Sequence, residues 1–438
     1  MSDSKTNGRT GPKDVPRLGI LCGGGPAPGI NSVIGAATIC AALAGAQVIG
    51  IRDGFKWLMR GDTERIVPLT IEQVSRIHFN GGSYLGTARA NPTRSESDLE
   101  NTLRSLEQIG ITHLITIGGD DTAYSAMIVA EHSRGQLQVV HVPKTIDNDL
   151  DLPEGIATFG YQTARHLGVD IVKNLMVDAR TTSRWYVVVT MGRKAGHLAL
   201  GIAKAAGATL CIIPEEFGSQ TVTLDCVVDI LAGAIIKRRM DGREDGTAVL
   251  AEGLVEHLSE AELASFGQIE HDEHGHVRLA EINLGEVVKD RLRQRLNALG
   301  ISTTTVVAKD IGYELRCADP IPLDMEYTRD LGYCAASYLL GGGRNAMVAL
   351  VDGHFKSLPF RDMLDPSTGR TRVRLVDVAS EHYKIARRYM VRLRREDFDD
   401  PAVVARLATA AKLSPEEFRK QFEYVVETET PPLQLGVR

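Results

Sequence analysis

The sequence predicts an α/β protein with two Rossmann-like, three-layer domains, each built around a mostly parallel sheet. Short apolar runs alternate with segments that carry apolar residues at helical spacing, as where residues 18–22 are followed by 30–43. The runs lack polar alternation, which is typical of strands covered on both faces. The length of 438 residues exceeds one ordinary hydrophobic core and indicates two domains.

The apolar runs are the predicted strands. They comprise residues 18–22, 48–51, 113–117, 139–142, 185–190, 209–213, 248–251, 304–308 and 347–351. Strand-helix alternation on this scale builds parallel sheets from right-handed βαβ units, in which ligands bind at the carboxyl ends of the strands. The polar residues directly after these runs are therefore the candidates for a site.

Composition limits the possible partners and the compartment. The formal net charge of −6 favours neither nucleic acid nor an anionic membrane as a partner. The six cysteines are dispersed without a C-x-x-C pair, which favours reduced thiols in the cytoplasm. No apolar stretch is long enough to span a membrane. Residues 1–16 are polar and lack the apolar core of a signal peptide, so we expect a disordered leader there.

Two polar segments stand outside the sheet pattern. Residues 257–280 include His271, His274 and His276, whose spacing is wrong for a helical metal pair, so a solvated turn is favoured over a metal site. Residues 383–395 are rich in basic side chains, namely Lys384, Arg387, Arg388, Arg392, Arg394 and Arg395. A solvated helix face is the commoner explanation of such a run, and an anion-binding or subunit-contact face is the alternative.

A glycine-rich turn at residues 22–31 (CGGGPAPGIN) follows the first strand and opens a helix. Glycines let backbone N–H groups approach an anion, and the helix dipole favours negative charge. No Lys-Ser/Thr pair follows Gly29, unlike a Walker loop, and Pro28 takes the third glycine position of the dinucleotide fingerprint. The turn indicates a phosphate site, and a merely tight turn is the alternative.

Two acidic motifs end later strands. Residues 118–122 (GGDDT) place adjacent carboxylates where Mg²⁺ could share them with phosphate and water, although either Asp120 or Asp121 could simply cap a helix. Residues 143–149 (PKTIDND) place an amine, a hydroxyl and two carboxylates within one turn. A hydroxyl nucleophile needs a base, and phosphoryl transfer needs positive charge on the donor. Three polar clusters at three strand ends favour a site over polar loops.

Arginines and one glutamate accompany the later strands. Arg193, in residues 191–193 (MGR), offers a forked donor for phosphate oxygens. Arg184 lies at the opposite end of the same strand, so it makes a structural pair or serves a neighbouring subunit. Glu252 could hold sugar hydroxyls, and residues 312–316 (GYELR) supply Arg316. Each of these, taken alone, is more often structural.

Together these motifs resemble the phosphofructokinase family, in order, from about residue 18 to 351, with a further counterpart in residues 80–89 (NGGSYLGTAR). The resemblance implies two stacked α/β domains with the active site in the cleft between them. The implied parts are a donor domain over 17–158 plus about 325–363, a sugar-phosphate domain over 159–324 and a C-terminal helical extension over 364–438.

The resemblance also implies roles for individual residues. Asp147 matches the base that takes the proton from the sugar 1-hydroxyl, Asp120 matches the Mg²⁺-associated aspartate, and Thr145 with Arg193 match groups that bind the transferring phosphoryl. The donor-site positions are Gly24, Gly25, Arg89 and Asp120. The sugar-phosphate positions are Thr145, Ile146, Asp147, Asp149, Arg184, Met191, Gly192, Arg193, Glu252, Tyr313 and Arg316. Since the arginine matching Arg184 typically comes from a neighbouring subunit, a homodimer or homotetramer is implied.

Two positions decide the expected donor. Relatives that use ATP usually carry glycine in place of Asp121, because the α-phosphate of the nucleotide passes there. A carboxylate about 4 Å from a phosphate costs roughly 4 kcal/mol at an effective dielectric near 20. Lys144, where many of those relatives again have glycine, adds positive charge for a pyrophosphate leaving group. The pair resembles the pyrophosphate-dependent branch, which implies the Mg²⁺-dependent, reversible reaction of pyrophosphate with fructose 6-phosphate.

Two departures from the family pattern and two alternatives remain. Pro26 stands where many relatives have aspartate, and Val307 stands where many have a basic residue that touches the sugar phosphate. Lys309 or a residue of the C-terminal extension replaces that group, or the alignment shifts. The alternative functions are an ATP-dependent 6-phosphofructokinase and a catalytically silent regulatory subunit. The second is disfavoured because Asp147 and Asp120 are present.

Overall fold

The computed structural model describes residues 15–218, 221–263, 266, 282–367, 369, 371–427, 429 and 431–435. The predicted disordered leader therefore lies outside the described residues, apart from its last two positions. So does most of the histidine-containing segment 257–280, including all three of its histidines between 271 and 276. Among the described residues, no helix combines the length and apolarity needed to cross a bilayer.

Twelve strands are present in the described residues. They are β1 Arg17–Cys22, β2 Gln47–Ile51, β3 Ile66–Leu69, β4 His113–Gly118, β5 Gln138–Thr145, β6 Phe159–Gly160, β7 Arg184–Thr190, β8 Leu210–Ile212, β9 Gly246–Ala251, β10 Thr305–Ile311, β11 Ala346–Val351 and β12 His354–Pro359. Every predicted strand appears, with ends that shift by one to three residues. The short strands β3, β6 and β12 were not predicted.

Fifteen α-helices connect and cover the strands in the same described part of the chain. They are α1 Ile30–Leu43, α2 Ile71–Val74, α3 Glu96–Ile109, α4 Asp120–His132, α5 Tyr161–Thr182, α6 His197–Ala206, α7 Leu224–Met240, α8 Glu260–Leu263, α9 Leu284–Ala298, α10 Tyr313–Arg316, α11 Pro322–Leu340, α12 Glu381–Tyr389, α13 Arg395–Asp399, α14 Pro401–Ala411 and α15 Pro415–Phe422.

The strands form two sheets. The larger has the order β12-β11-β5-β4-β1-β2-β3, with β6 paired to β5, and the smaller has the order β10-β7-β9-β8. All pairs of the smaller sheet are parallel, and only the edge strands β3 and β12 of the larger sheet run antiparallel to their neighbours. The architecture is thus the mixed α/β, mostly parallel arrangement that the sequence predicts.

Buried apolar strands and close helix packing hold the larger sheet in place. Leu18 and Ile20 of β1 are fully buried in the cluster that also contains Ile30 and Val33 of α1. Helix α11 lies directly against α1, because a Cβ at Gly332 would come within 2.5 Å of the Val33 carbonyl oxygen. This packing fixes the start of α1, and with it the glycine turn that follows β1.

The topology brings the strand ends together. β1, β4 and β5 are neighbours in the larger sheet and run parallel, so the segments after them emerge at one edge. The same holds for β7, β9 and β10 in the smaller sheet. One predicted boundary is wrong: β5 continues through Pro143 to Thr145, because Lys144 pairs with Phe159 of β6. Lys144 and Thr145 are therefore held in a strand.

Candidate active site

The segments after these six strands line one cleft of about 450 Å³. Its walls include Gly24, Gly25, Pro26, Arg89, Asp120, Asp121, Lys144, Thr145, Ile146, Asp147, Asp149, Met191, Arg193, Lys194, Glu252, Tyr313 and Arg316. The structure thus brings together all the sequence-predicted site residues except Arg184 and Gly192. Lys194 is an additional cation that the sequence argument missed, although it directly follows the MGR motif.

The glycine turn is shaped by its neighbours in the cleft. Gly24 has φ +80°, which favours glycine, and a Cβ there would lie 3.4 Å from Lys144 Nζ. A Cβ on Gly25 would come within 2.7 Å of a guanidinium nitrogen of Arg316. Thr87 donates a hydrogen bond to the Gly24 carbonyl oxygen. The turn therefore presents bare backbone to the cleft and lets two cations approach it.

Lys144 is buried at the floor of the cleft, where its side chain is 6 % exposed. Its Nζ donates a 2.6 Å hydrogen bond to the Gly25 carbonyl oxygen. Burial lowers the pKa of Lys144, Cys22 and Asp147 oppose that shift, and Arg316 adds to it. The amine is thus fixed over the glycine turn, with its charge only partly balanced by protein groups.

Asp120 and Asp121 form the first turn of α4, where negative charge also complements the helix dipole. Lys194 Nζ lies 2.5 Å from Asp120 Oδ2, so this ion pair joins the larger sheet's side of the cleft to the smaller sheet's side. Burial lowers the pKa of Lys194, but Asp120 and then Asp121 more than offset this, and the net pKa is raised.

Three partly buried carboxyl groups line the cleft. Desolvation and then the Glu252 carboxylate raise the pKa of Asp147 to about 6, although the Arg193 backbone N–H and side chain favour its charged form. Desolvation, then Asp147 and Asp120, raise the pKa of Asp149 to about 7. Desolvation also raises the pKa of Glu252 to about 7. These groups change charge close to neutral pH, as acid–base catalysts do.

Backbone contacts orient these carboxylates. The Asp147 N–H donates to the Thr145 hydroxyl at 3.0 Å. The Gly192 N–H donates to Glu252 Oε1 at 3.1 Å, so Gly192 acts on the cleft through the backbone rather than by lining it. A Cβ on Gly253 would come within 2.5 Å of the Arg193 carbonyl oxygen. The loops after β7 and β9 are therefore packed backbone to backbone.

Arg374, which follows the predicted donor domain, supports the acidic loop, that is, the segment that carries Asp147, Asn148 and Asp149. Its Nη1 donates to the Ile156 carbonyl at 2.6 Å, its Nε to the Asn148 carbonyl at 3.1 Å, and its Nη2 to the Asn148 side chain. Its backbone N–H donates to the Asp149 carbonyl at 2.8 Å. Asn148 lies between the two carboxylates with φ +59°. The sequence offered no motif from which this contact could have been predicted.

Arg184 lies away from the cleft. It begins β7, whose other end leads to Met191, and its Nε lies 3.7 Å from Asp178 Oδ2. Seven strand residues span roughly 20 Å at about 3.3 Å each, so Arg184 is beyond reach of its own cleft. Val307 is in the adjacent strand β10, paired with Tyr186 near the same end. Val307 and Arg184 thus lie near the same end of the smaller sheet, away from the cleft.

Comparison with known proteins adds to this geometry. The family model for phosphofructokinase matches residues 17–339.

The chain belongs to the phosphofructokinase family.

Two relatives are similar to this phosphofructokinase over nearly its whole length, and both are named pyrophosphate–fructose 6-phosphate 1-phosphotransferase. The protein from Thermotoga maritima is 54 % identical over 416 residues, which cover 94 % of this chain and 99 % of the relative. The protein from Naegleria fowleri is 50 % identical over 425 residues, which cover 95 % and 97 %. A solved pyrophosphate-dependent phosphofructokinase from Nitrosospira multiformis shares the fold, with a TM-score of 0.64, 16 % identity and coverage of 85 % and 90 %.

Proposed function

We propose that this phosphofructokinase transfers a phosphoryl group reversibly from pyrophosphate to the 1-hydroxyl of fructose 6-phosphate, giving fructose 1,6-bisphosphate and orthophosphate. The observation that carries the proposal is that Asp121 and Lys144 lie in one cleft with Asp147. The names of the two relatives that match most of the chain support the same activity.

The donor assignment follows from charge. Asp121 lies in the first turn of α4. The α-phosphate of a nucleotide would meet its carboxylate there, at a cost of roughly 4 kcal/mol for a separation near 4 Å. Pyrophosphate has no such third phosphate. Lys144, held at 2.6 Å from the Gly25 carbonyl, places a positive charge beside the glycine turn, where it can stabilise the departing phosphate.

Asp147 is the proposed general base. Its pKa of about 6 leaves it ionised at neutral pH yet basic enough to accept the proton of a sugar hydroxyl as the bond to phosphorus forms. The Arg193 backbone N–H holds the carboxylate in place. Thr145 and the Arg193 side chain are the proposed ligands of the transferring phosphoryl, and Glu252 with Met191 the proposed contacts of the sugar.

The carboxylates at the donor side fit Mg²⁺. Within the described residues, no group of three or more His, Cys, Asp and Glu side chains could hold a metal by itself. Mg²⁺ commonly takes one or two carboxylates and completes its coordination with substrate phosphates and water. We therefore assign Asp120 as a ligand, with Asp121 and Asp149 nearby. When bound, the ion neutralises charge on the phosphates.

We further propose a homodimer or homotetramer in which Arg184 reaches the 6-phosphate in the site of a neighbouring subunit. Arg184 lies at the far end of β7, and its side chain is 34 % exposed, which supports a role outside its own cleft.

The six free cysteines support a reducing compartment such as the cytoplasm.

The assignment is tested by comparing pyrophosphate and ATP as donors with purified protein, Mg²⁺ and fructose 6-phosphate. Turnover with pyrophosphate is expected, and strong turnover with ATP alone would refute the donor assignment. Two variants separate charge from size at position 121. Asp121→Asn removes only the charge, whereas Asp121→Gly removes the charge and the bulk of the side chain. The glycine variant is therefore expected to lose pyrophosphate turnover and to gain more ATP turnover than the asparagine variant. Absence of turnover with either donor would favour the silent regulatory subunit.

A further inference from the structure

A second cavity lies in the C-terminal part of the chain, outside residues 17–339 that the family model matches. Its volume is about 240 Å³, and it is enclosed by α12, α13 and the segment around Glu429 and Pro431. Among the described residues, it shares no lining residue with the catalytic cleft. Its described wall carries five basic side chains and three acidic ones.

Most of these cations already have partners. Arg388 Nη1 lies 2.9 Å from Glu396 Oε1. Arg394 Nη2 donates to the Arg388 carbonyl at 2.8 Å and to the Met390 carbonyl at 3.0 Å, which caps the end of α12. Arg395 Nη2 donates to the Glu427 carbonyl at 3.0 Å. These three arginines therefore build the wall of the cavity.

Arg387 is different. Its side chain is only 9 % exposed, and within the described part of the chain its guanidinium has no hydrogen-bond partner and no ion pair. Two carboxylates, Glu216 and Glu429, favour the charged form of Arg387. Glu216 is already paired with Arg392 at 2.6 Å, and Glu429 Oε2 accepts from the Arg395 N–H at 2.7 Å. Burial, and then the charge of Arg392, lower the pKa of Arg387 to about 10. The guanidinium donors of Arg387 are therefore available to an anion in the cavity that accepts hydrogen bonds from them.

We propose that this cavity binds a compact phosphate-class anion, one or two phosphoryl groups in size, with Arg387 and Lys384 as its main ligands. The planar fork of arginine suits phosphate oxygens, and Lys384, also without a partner among the described residues, supplies a second charge at the rim. A cavity of about 240 Å³ is smaller than the roughly 300–1,000 Å³ of typical pockets for organic ligands, which suits a compact anion such as orthophosphate or pyrophosphate. The site is distinct from the catalytic one.

The test counts bound phosphate by equilibrium dialysis of the full-length protein with radiolabelled orthophosphate, and in a parallel series with pyrophosphate. Arg387→Met is expected to bind one phosphate fewer per chain than the unmodified protein, whatever the catalytic cleft binds. Arg406→Met is the matched control, because Arg406 is an exposed arginine on α14 outside the cavity, and it should leave the count unchanged.

Two further measurements protect the test against a folding artefact. Arg387→Met should melt no lower than the unmodified protein in phosphate-free buffer, because it removes an unpaired buried charge, and it should lose the rise in Tm that phosphate produces. Lys384→Met, at the rim, should weaken phosphate binding by about tenfold. An equal phosphate count in Arg387→Met and the unmodified protein would overturn the proposal.

Discussion

At the scale of single residues, the strongest physical evidence for acid–base chemistry in the cleft comes from three carboxyl groups. Burial raises the pKa of all three groups, Asp147, Asp149 and Glu252. Repulsion from Glu252 adds to the shift of Asp147, and repulsion from Asp147 and Asp120 adds to the shift of Asp149. Such crowding destabilises the ionised carboxylates, and the cations Arg193, Lys144 and Lys194 offset only part of it. It is the arrangement expected where a hydroxyl must lose its proton beside an incoming phosphoryl group.

The first prediction concerns the base. Asp147→Asn keeps the shape of the side chain but cannot accept a proton, so kcat should fall by about 10²–10⁴-fold. The KM for fructose 6-phosphate should stay within a few-fold, because the sugar contacts remain. Steady-state kinetics with pyrophosphate check this, and Asp151→Asn, an exposed aspartate nearby, serves as the control. Unchanged kcat would remove Asp147 from its assigned role.

The second prediction is the pH dependence of kcat/KM. A base must be deprotonated to act, so the rate should rise as the pH increases through about 6, the pKa of Asp147. Glu252 and Asp149, with pKa values of about 7, should extend the rise towards neutrality. Glu252→Gln should therefore shorten the part of the rise that extends towards pH 7, since it removes one of the groups that titrate there. A pH-independent rate between 5 and 8 would contradict this account.

The third prediction links the same groups to stability. The pKa of Asp149 is about 7 in the folded protein and about 3.9 in the unfolded chain. The native state therefore binds the proton more tightly, and the unfavourable contribution is absent below about pH 4, grows up to about pH 7 and is complete above it. Asp149→Asn should stabilise the protein at pH 8 by on the order of 2 kcal/mol and hardly at all at pH 4, as thermal unfolding would reveal.

At the scale of elements, the site depends on parts that are far apart in sequence. The strand ends supply the polar side chains, and the segment around Arg374 and Val376 holds two of the loops. Glu215 Oε1 accepts from the Gly196 N–H at 2.8 Å and from the Val376 N–H at 3.0 Å, which ties the loop after β7 to the C-terminal extension. The extension is therefore part of the architecture of the cleft.

The fourth prediction tests this support. Arg374→Met removes two side-chain hydrogen bonds to Asn148 and one to Ile156. Because Asn148 lies between Asp147 and Asp149, kcat should fall by about 10²-fold, the effect expected when a catalytic group shifts by about 1 Å. Added guanidinium ion should restore part of the activity, which a general loss of stability would not allow. Arg372→Met is the matched control, since Arg372 is exposed and lies two residues away. Equal kinetics in the two variants would refute a positioning role.

The sequence was sufficient to predict those site residues that directly follow a strand. Asp120, Asp147 and Glu252 each come at or just after the end of an apolar run, and parallel pairing then brings them together. Arg374 could not be predicted in this way, because its role depends on a contact across 226 residues and on three carbonyl or amide acceptors. The end of β5 was misjudged for a related reason, since only pairing with β6 keeps Lys144 in the strand.

At the scale of the whole molecule, the proposed mechanism needs more than one subunit, because the cleft of a single subunit lacks Arg184. Arg184 and Val307 lie at the far end of the smaller sheet, whereas Arg316 lies in the cleft. A cleft that borrows Arg184 from a neighbour needs the symmetric assembly in which each subunit lends the same surface.

The fifth prediction uses two defective variants. Arg184→Ala and Asp147→Asn proteins should each be nearly inactive, but a shared site predicts recovery in mixed oligomers. In a randomly mixed dimer, half of the molecules are hybrids with one intact site, so about a quarter of the original activity should return. Co-expression with two affinity tags isolates the hybrids. No recovery would show that each subunit works alone.

Asn148 and Arg374 are 226 positions apart in the sequence, and this separation also sets an order of events during synthesis. At about 5–20 residues per second, the acidic loop would leave the ribosome roughly 10–45 s before its guanidinium partner does. Over that interval the nascent chain would hold the folded larger-sheet strands β1, β4 and β5 without a finished catalytic loop. Enzymatic competence would then be acquired only after residue 374 has emerged, and a chain released before that point would be inactive although much of its fold is present.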